Sequence, residues 1–91
     1  MNSMMIVQGA IVDSWIEGGR SAGGKSRLVM QVEPRGRPGS LMLVEAEAAL
    51  VPDRGWLEDL GANHCHGSPV AAVGHRNPGG GFWATEIRLA R

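Results

Sequence analysis

Between Ser26 and Glu47 the chain reads as two alternating runs split by a turn rich in proline and glycine, a pattern that an antiparallel hairpin satisfies. In the first run, Ser26 to Glu33, Leu28, Met30 and Val32 fall on one face, and Arg27, Val29, Gln31 and Glu33 on the other. That is the two-residue period of a strand. Pro34-Arg35-Gly36-Arg37-Pro38-Gly39 is a turn: proline presets one φ, and glycine accepts the positive φ that turns require. Ser40 to Glu47 is the returning strand, with Leu41 and Leu43 opposite Met42 and Val44.

The remaining segments fit around this hairpin. Met4 to Ile16 is rich in Ile and Val and reads as a strand, with Gly9 marking a bulge or bend inside it. Glu17 to Lys25 is a glycine-rich loop. After Glu47 the period changes. Asp53 is placed to N-cap a short helix through Leu60, Gly61 to end it, and Trp56 and Leu60, four apart, to share its buried face. His64 to Ser68 is a connector, Pro69 to Gly74 a small-residue strand, and His75 to Gly81 a second glycine loop. Phe82 to Ala90 alternates again, with Trp83, Ile87 and Leu89 opposite Phe82, Ala84, Glu86 and Arg88.

A chain of 91 residues makes one domain, spanning 1–91, with a modest core. Five strands with a helix between the third and fourth follow the OB plan, an all-β Greek-key barrel with one short helix. A long first strand bent at a glycine suits that plan, because it must serve both halves of a small barrel.

The closing segment, Gly67-Ser68-Pro69-Val70-Ala71-Ala72-Val73-Gly74, then a loop, then Trp83-Ala84-Thr85-Glu86-Ile87, resembles the last strands of many OB-fold proteins. The likeness, one of pattern and not of a diagnostic motif, covers most of the chain. It points to the bacterial single-stranded-DNA-binding and primosomal replication proteins. It implies an OB barrel and a single-stranded nucleic-acid ligand.

Composition removes several classes. No apolar run approaches the ~20 residues needed to span a bilayer. Met4-Met5-Ile6-Val7 is too short for a signal-peptide core and has no basic residue before it, so a cytoplasmic protein without membrane association is expected. Cys65 is the single cysteine, which rules out an internal disulfide and suits a reducing compartment. Nine basic residues balance nine acidic ones, unlike the strongly basic modules that bind nucleic acid tightly.

Two motifs invite sharper chemistry, and neither has the context it needs. Gly19-Arg20-Ser21-Ala22-Gly23-Gly24-Lys25-Ser26 matches the phosphate-loop letters G-x-x-x-x-G-K-[ST]. That loop must open a helix whose amides face phosphate, yet Arg27 to Glu33 has a strand period and stops at Pro34. His64, Cys65 and His66 are good zinc ligands by type, with His75 nearby in the chain, but their spacing matches no common structural zinc pattern. Cys65 and His66, adjacent on an extended segment, point to opposite faces and make a poor nucleophile pair. The expectation is a protein that is not an enzyme and carries no metal and no cofactor.

Position makes the basic residues informative. In OB folds, the loops joining strands one and two and strands four and five flank the face of strands two and three. Arg20, Lys25 and Arg27 lie in or beside the first loop and Arg76 begins the second, where they would neutralise phosphates, and Arg35 and Arg37 would extend a basic edge. Base stacking needs exposed rings. With one Phe, three Trp and no Tyr to choose from, Phe82 and Trp15 are the candidates, whereas Trp83 and Trp56 are assigned to the core. The function expected is weak binding of single-stranded nucleic acid through the two loops and these rings. The alternative is a protein partner, with the chain as an adaptor or subunit of a replication, plasmid or phage assembly. Unpaired strand edges invite a second copy, so a homodimer is expected.

Overall fold

The computed structural model describes residues 4–18 and 25–90. Its organising element is β1 (Met5–Gly18), long enough at 14 residues to pair with two neighbours in succession. Met5 to Ala10 run antiparallel to β4 (Pro69–Arg76), and Gly9 to Gly18 run antiparallel to β2 (Ser26–Pro34). Gly9 belongs to both ladders, opposite Pro34 and Val70 at once. A Cβ at that crossing would strike the backbone carbonyl of Glu33, so the glycine serves close backbone approach.

β2 and β3 (Met42–Glu47) form the expected hairpin, with Met30 opposite Val44 and Arg27 opposite Glu47. A short parallel contact between β3 and β5 (Phe82–Leu89) closes the sheet in the order β1-β2-β3-β5-β4. The architecture is the expected five-stranded OB-type barrel with one short helix. Ile11, Leu28, Met30, Val32, Val44 and Phe82 are fully buried at its centre.

Two bulges decide which side chains face that centre. In β1, Ile11 lies opposite Val32 but Asp13 lies opposite Gln31, which makes Val12 the extra residue. The bulge is therefore at Val12 and not at Gly9. Before it Val7 and Ile11 face inward; after it Ser14 and Ile16 do, leaving Asp13, Trp15 and Glu17 outside. In β5, Gly74 of β4 lies opposite Ala84 and Val73 opposite Glu86, so Thr85 is the extra residue. Phe82 and Ala84 face inward before it, and Ile87 and Leu89 after it.

A 3₁₀ turn (Ala48–Leu50) leads to α1 (Arg54–Gly61), and Asp53 is its N-cap, accepting a hydrogen bond from the Trp56 amide at 2.9 Å. The helix ends later than expected. Gly61 is its last helical residue, and the left-handed position belongs to Asn63, with φ of 59°. Gly61 instead lets the helix approach β1: an added Cβ would sit 3.2 Å from the Ile16 side chain. Leu60 is the fully buried plug, while Trp56 is half-buried against the core. Ser14 fastens helix to strand, donating from Oγ to the Leu60 carbonyl at 2.7 Å, and its amide donates to Asn63 Oδ1 at 3.1 Å.

The connector 64–68 covers the β1 bulge. Gly67 donates to the Ile11 carbonyl, and His66 Nδ1 lies 2.9 Å from the carbonyl of Val12. Cys65, between His64 and His66 in sequence, is buried, while His64 turns to Asp59 at 3.9 Å. Among the described residues no three ligating side chains converge as a metal site. No helix of the described residues is long and apolar enough to cross a membrane.

Candidate functional site

The register of the barrel assembles a row of side chains across its outer surface. Trp15 on β1 lies beside Val29 on β2, Val29 beside Glu45 on β3, Glu45 beside Trp83 on β5, and Trp83 beside His75 on β4. Trp15 and Trp83 are both half-buried. Three strand spacings of ~4.8 Å separate them, roughly 14 Å in all. Val29 is 1% exposed, yet it stands outside the core cluster. Its neighbours along the row and the strands therefore bury it from the outer side. Beside Trp83, on the Glu47 side of the row, a cavity of about 250 Å³ is lined by Glu47, Leu50 and Thr85.

The structure reverses the expected faces of two aromatic residues. Phe82 was expected outside and is fully buried opposite Val44; Trp83 was expected in the core and stands outside. The cause is the bulge at Thr85. Counting back from Ile87 and Leu89 in strict alternation puts Trp83 on their face, but one extra residue reverses the parity. Phe82 therefore offers no ring face to a ligand, and Trp83 takes its place beside the predicted Trp15.

The row lies among carboxylates. Above it Glu17, Arg27 and Glu47 align, and below it Asp13, Gln31 and Leu43. Arg27 Nη2 donates to both carboxylate oxygens of Glu17, at 3.0 and 3.1 Å, and Nη1 is 3.7 Å from Glu45. Lys25 Nζ is 3.9 Å from Glu47. These exposed pairs add little stability, but they cancel the positive charge that Arg27 and Lys25 were expected to present. Arg20 lies outside the described residues, as do Gly19 to Gly24 of the phosphate-loop letters. Ser26 opens β2 and no helix, so the structural context of a nucleotide loop is missing.

Cations without an ion pair among the described residues gather elsewhere. Arg76 ends β4 opposite Phe82, one residue before the 77–81 loop, with His75 also on the strand and not in the loop. Arg76, Arg35 and Arg37 line a groove of about 500 Å³ together with Met5, Ile6 and Met42. β1 pairs with β4 from Met5 onward, but its ladder to β2 begins only at Gly9. The Arg35 amide reaches the Gln8 carbonyl at 2.7 Å, and beyond it the β2-side edge of Met5 to Val7 has no strand beside it among the described residues. Met4, Ile6 and Leu41 are exposed near this end of the barrel.

The fold and this outer face define a class, the closed five-stranded OB-type barrels. Within it, the chain is similar to the N-terminal domain of the PriB protein from Thermoanaerobacter tencongensis, a structure described as dimeric. The TM-score is 0.60 over 97% of this chain and 96% of that one, at 14% identity, a likeness of fold. No protein-family model matches the chain, and neither does any curated protein sequence.

Proposed function

We propose that the chain is a non-catalytic OB-type module that binds single-stranded nucleic acid across the outer face of β1, β2, β3 and β5. The observation that carries this is the row holding Trp15 and Trp83, two outward rings on a sheet face that lies near the 77–81 loop and the end of β1 at Gly18. Bases stack on such rings without regard to sequence. Arg76, at the end of β4 before the 77–81 loop, supplies a phosphate contact, and Arg20, which lies outside the described residues, is a second candidate for one. Lys25 and Arg27 contribute only by exchanging a carboxylate for a phosphate, which makes the binding weak. Quenching of tryptophan fluorescence by a short oligonucleotide tests the proposal. Wild-type protein is expected to quench, and a Trp15→Ala, Trp83→Ala variant, which keeps Trp56 as its reporter, is not. Absence of wild-type quenching at low salt and high protein concentration overturns it.

The open edge of β1 supports a second, compatible reading: a protein partner, and in the first place a second copy of this chain. An unpaired run of backbone groups beside exposed Met4 and Ile6 is the kind of edge that another strand covers. Sedimentation is expected to find a dimer that Ile6→Glu converts to monomer. A wild-type monomer at high concentration removes this reading and leaves the first intact.

A further inference from the structure

We infer that the arginine groove at the open end of β1 takes an extended acidic peptide of a partner protein as an added strand. This rests on the reading of the β1 edge as a protein-binding edge and names the chemistry of the partner; it does not depend on the tryptophan row.

Charge is the first argument. Arg35, Arg37 and Arg76 line the groove, all three are exposed, and none has an ion pair among the described residues. Elsewhere on the barrel Lys25, Arg27 and Arg88 each hold a carboxylate. No acidic side chain among the described residues lines the groove. The Glu33 carboxylate, at the start of the turn, already accepts a hydrogen bond from the Gly39 amide at 3.0 Å. A ligand that fills this groove must bring the negative charge itself.

The walls and the backbone say what kind of anion it is. Met5 and Ile6 are exposed and Met42 is half-buried, while no aromatic ring lines the groove among the described residues. Single-stranded nucleic acid binds through stacked bases as well as phosphates, so charge without rings suits it poorly. Aliphatic walls suit aliphatic side chains. Met5, Ile6 and Val7 pair with Gly74, Val73 and Ala72 of β4 on one side and with no described strand on the other. A strand laid along such an edge gains backbone hydrogen bonds, and its alternate side chains supply the specificity. A segment alternating acidic and aliphatic residues satisfies edge, walls and charge together. A second copy, pairing through its own β1, brings two sets of three arginines to one interface. Met4 to Gln8 carry no carboxylate to offset them, so that pairing yields to an acidic strand.

The test is fluorescence anisotropy of a labelled eight-residue peptide that alternates Glu and Leu, titrated with the full chain at low salt. The peptide is expected to bind, and its Lys-for-Glu counterpart to bind about tenfold more weakly, as expected when a few exposed charge pairs are lost. Methylating alternate backbone amides of the Glu-Leu peptide is expected to weaken it comparably, because an added strand needs those donors. Arg35→Glu with Arg37→Glu is expected to abolish binding with unchanged thermal melting; Arg76 is kept so that the nucleic-acid reading stays separable. Equal binding of the Glu and Lys peptides overturns the inference, as does indifference to methylation. So does an oligonucleotide that binds the Trp15→Ala, Trp83→Ala variant undiminished and is lost on reversing Arg35 and Arg37, which would assign the groove to nucleic acid. If no peptide binds and sedimentation finds a dimer, a second copy is the occupant, and the inference fails while the protein-partner reading stands. If no peptide binds and the chain is a monomer, both fail. The comparison of peptides on wild-type protein is decisive even if a variant fails to fold.

Discussion

The tryptophan row and the β1 groove differ in nearly every property that governs recognition. The row is a paired sheet surface whose aromatic rings sit among Asp13, Glu17, Glu45 and Glu47, with Arg27 and Lys25 already engaged by carboxylates. The groove has aliphatic walls, an open backbone edge, and three arginines without ion pairs among the described residues. A net charge of zero thus coexists with an acidic face and a basic groove. Stacking and charge, the two components of single-strand binding, are separated on this barrel. The lesson is that a neutral total conceals where a charged ligand is attracted and where its bases are read.

The largest effect separates core from face at two adjacent residues. Phe82→Ala is expected to cost about 3–5 kcal/mol of folding stability in chemical denaturation, because it empties the centre of the barrel. Trp83→Ala should leave most of that stability in place. If instead Phe82→Ala folds normally and loses oligonucleotide binding, the assignment of faces in β5 is wrong.

Next in size are the rings themselves. Trp15→Ala and Trp83→Ala are each expected to weaken oligonucleotide binding by about 1–3 kcal/mol, the range for one stacked base, and to leave its salt dependence nearly unchanged. Titrations in a salt series read both quantities at once. A steep change of slope in either variant would mean that the ring acts through charge.

A smaller effect measures how far the carboxylates silence Arg27 and Lys25. Four independent phosphate contacts give a slope of log affinity on log salt near −3, at about −0.7 per phosphate. With those two cations engaged, a slope of roughly −0.7 to −1.4 is expected, as from one or two contacts. Arg76→Glu should flatten it further. A wild-type slope near −3 would show that Arg27 and Lys25 leave their carboxylates for phosphate and would erase the contrast between the two regions.

The smallest expected effect is none. Arg54, at the start of α1, is outside both regions, and Arg54→Ala should bind oligonucleotide as the parent does. A loss of affinity there in the same titration would shift the site toward the helix.

Most of the fold was legible from local pattern. Alternation of Leu28, Met30 and Val32 with polar neighbours, the Pro34 to Gly39 turn, and the Asp53 cap each rest on residues close in sequence. The aromatic assignment was not legible, because the faces of β1 and β5 switch at Val12 and Thr85. Neither residue type advertises a bulge. Gly9, the residue that seemed to, is there for a close approach of strands. Likewise Gly61 looked like the helix terminator, whereas Asn63, a residue type that tolerates positive φ, holds that position and also meets the Ser14 amide through its side chain.

By itself the sequence determined the strands, the hairpin, the helix start, the neutral total charge and the presence of few aromatic rings. Those properties depend on side-chain type and on spacings of a few residues, which a chain carries wherever it goes. Only the tertiary structure decided which rings face outward, which cations are already paired, and that Glu45 shares a row with Trp83. The reason is register. In this closed barrel β1 and β5 each carry an extra residue, and every cross-strand neighbour beyond a bulge depends on that shift.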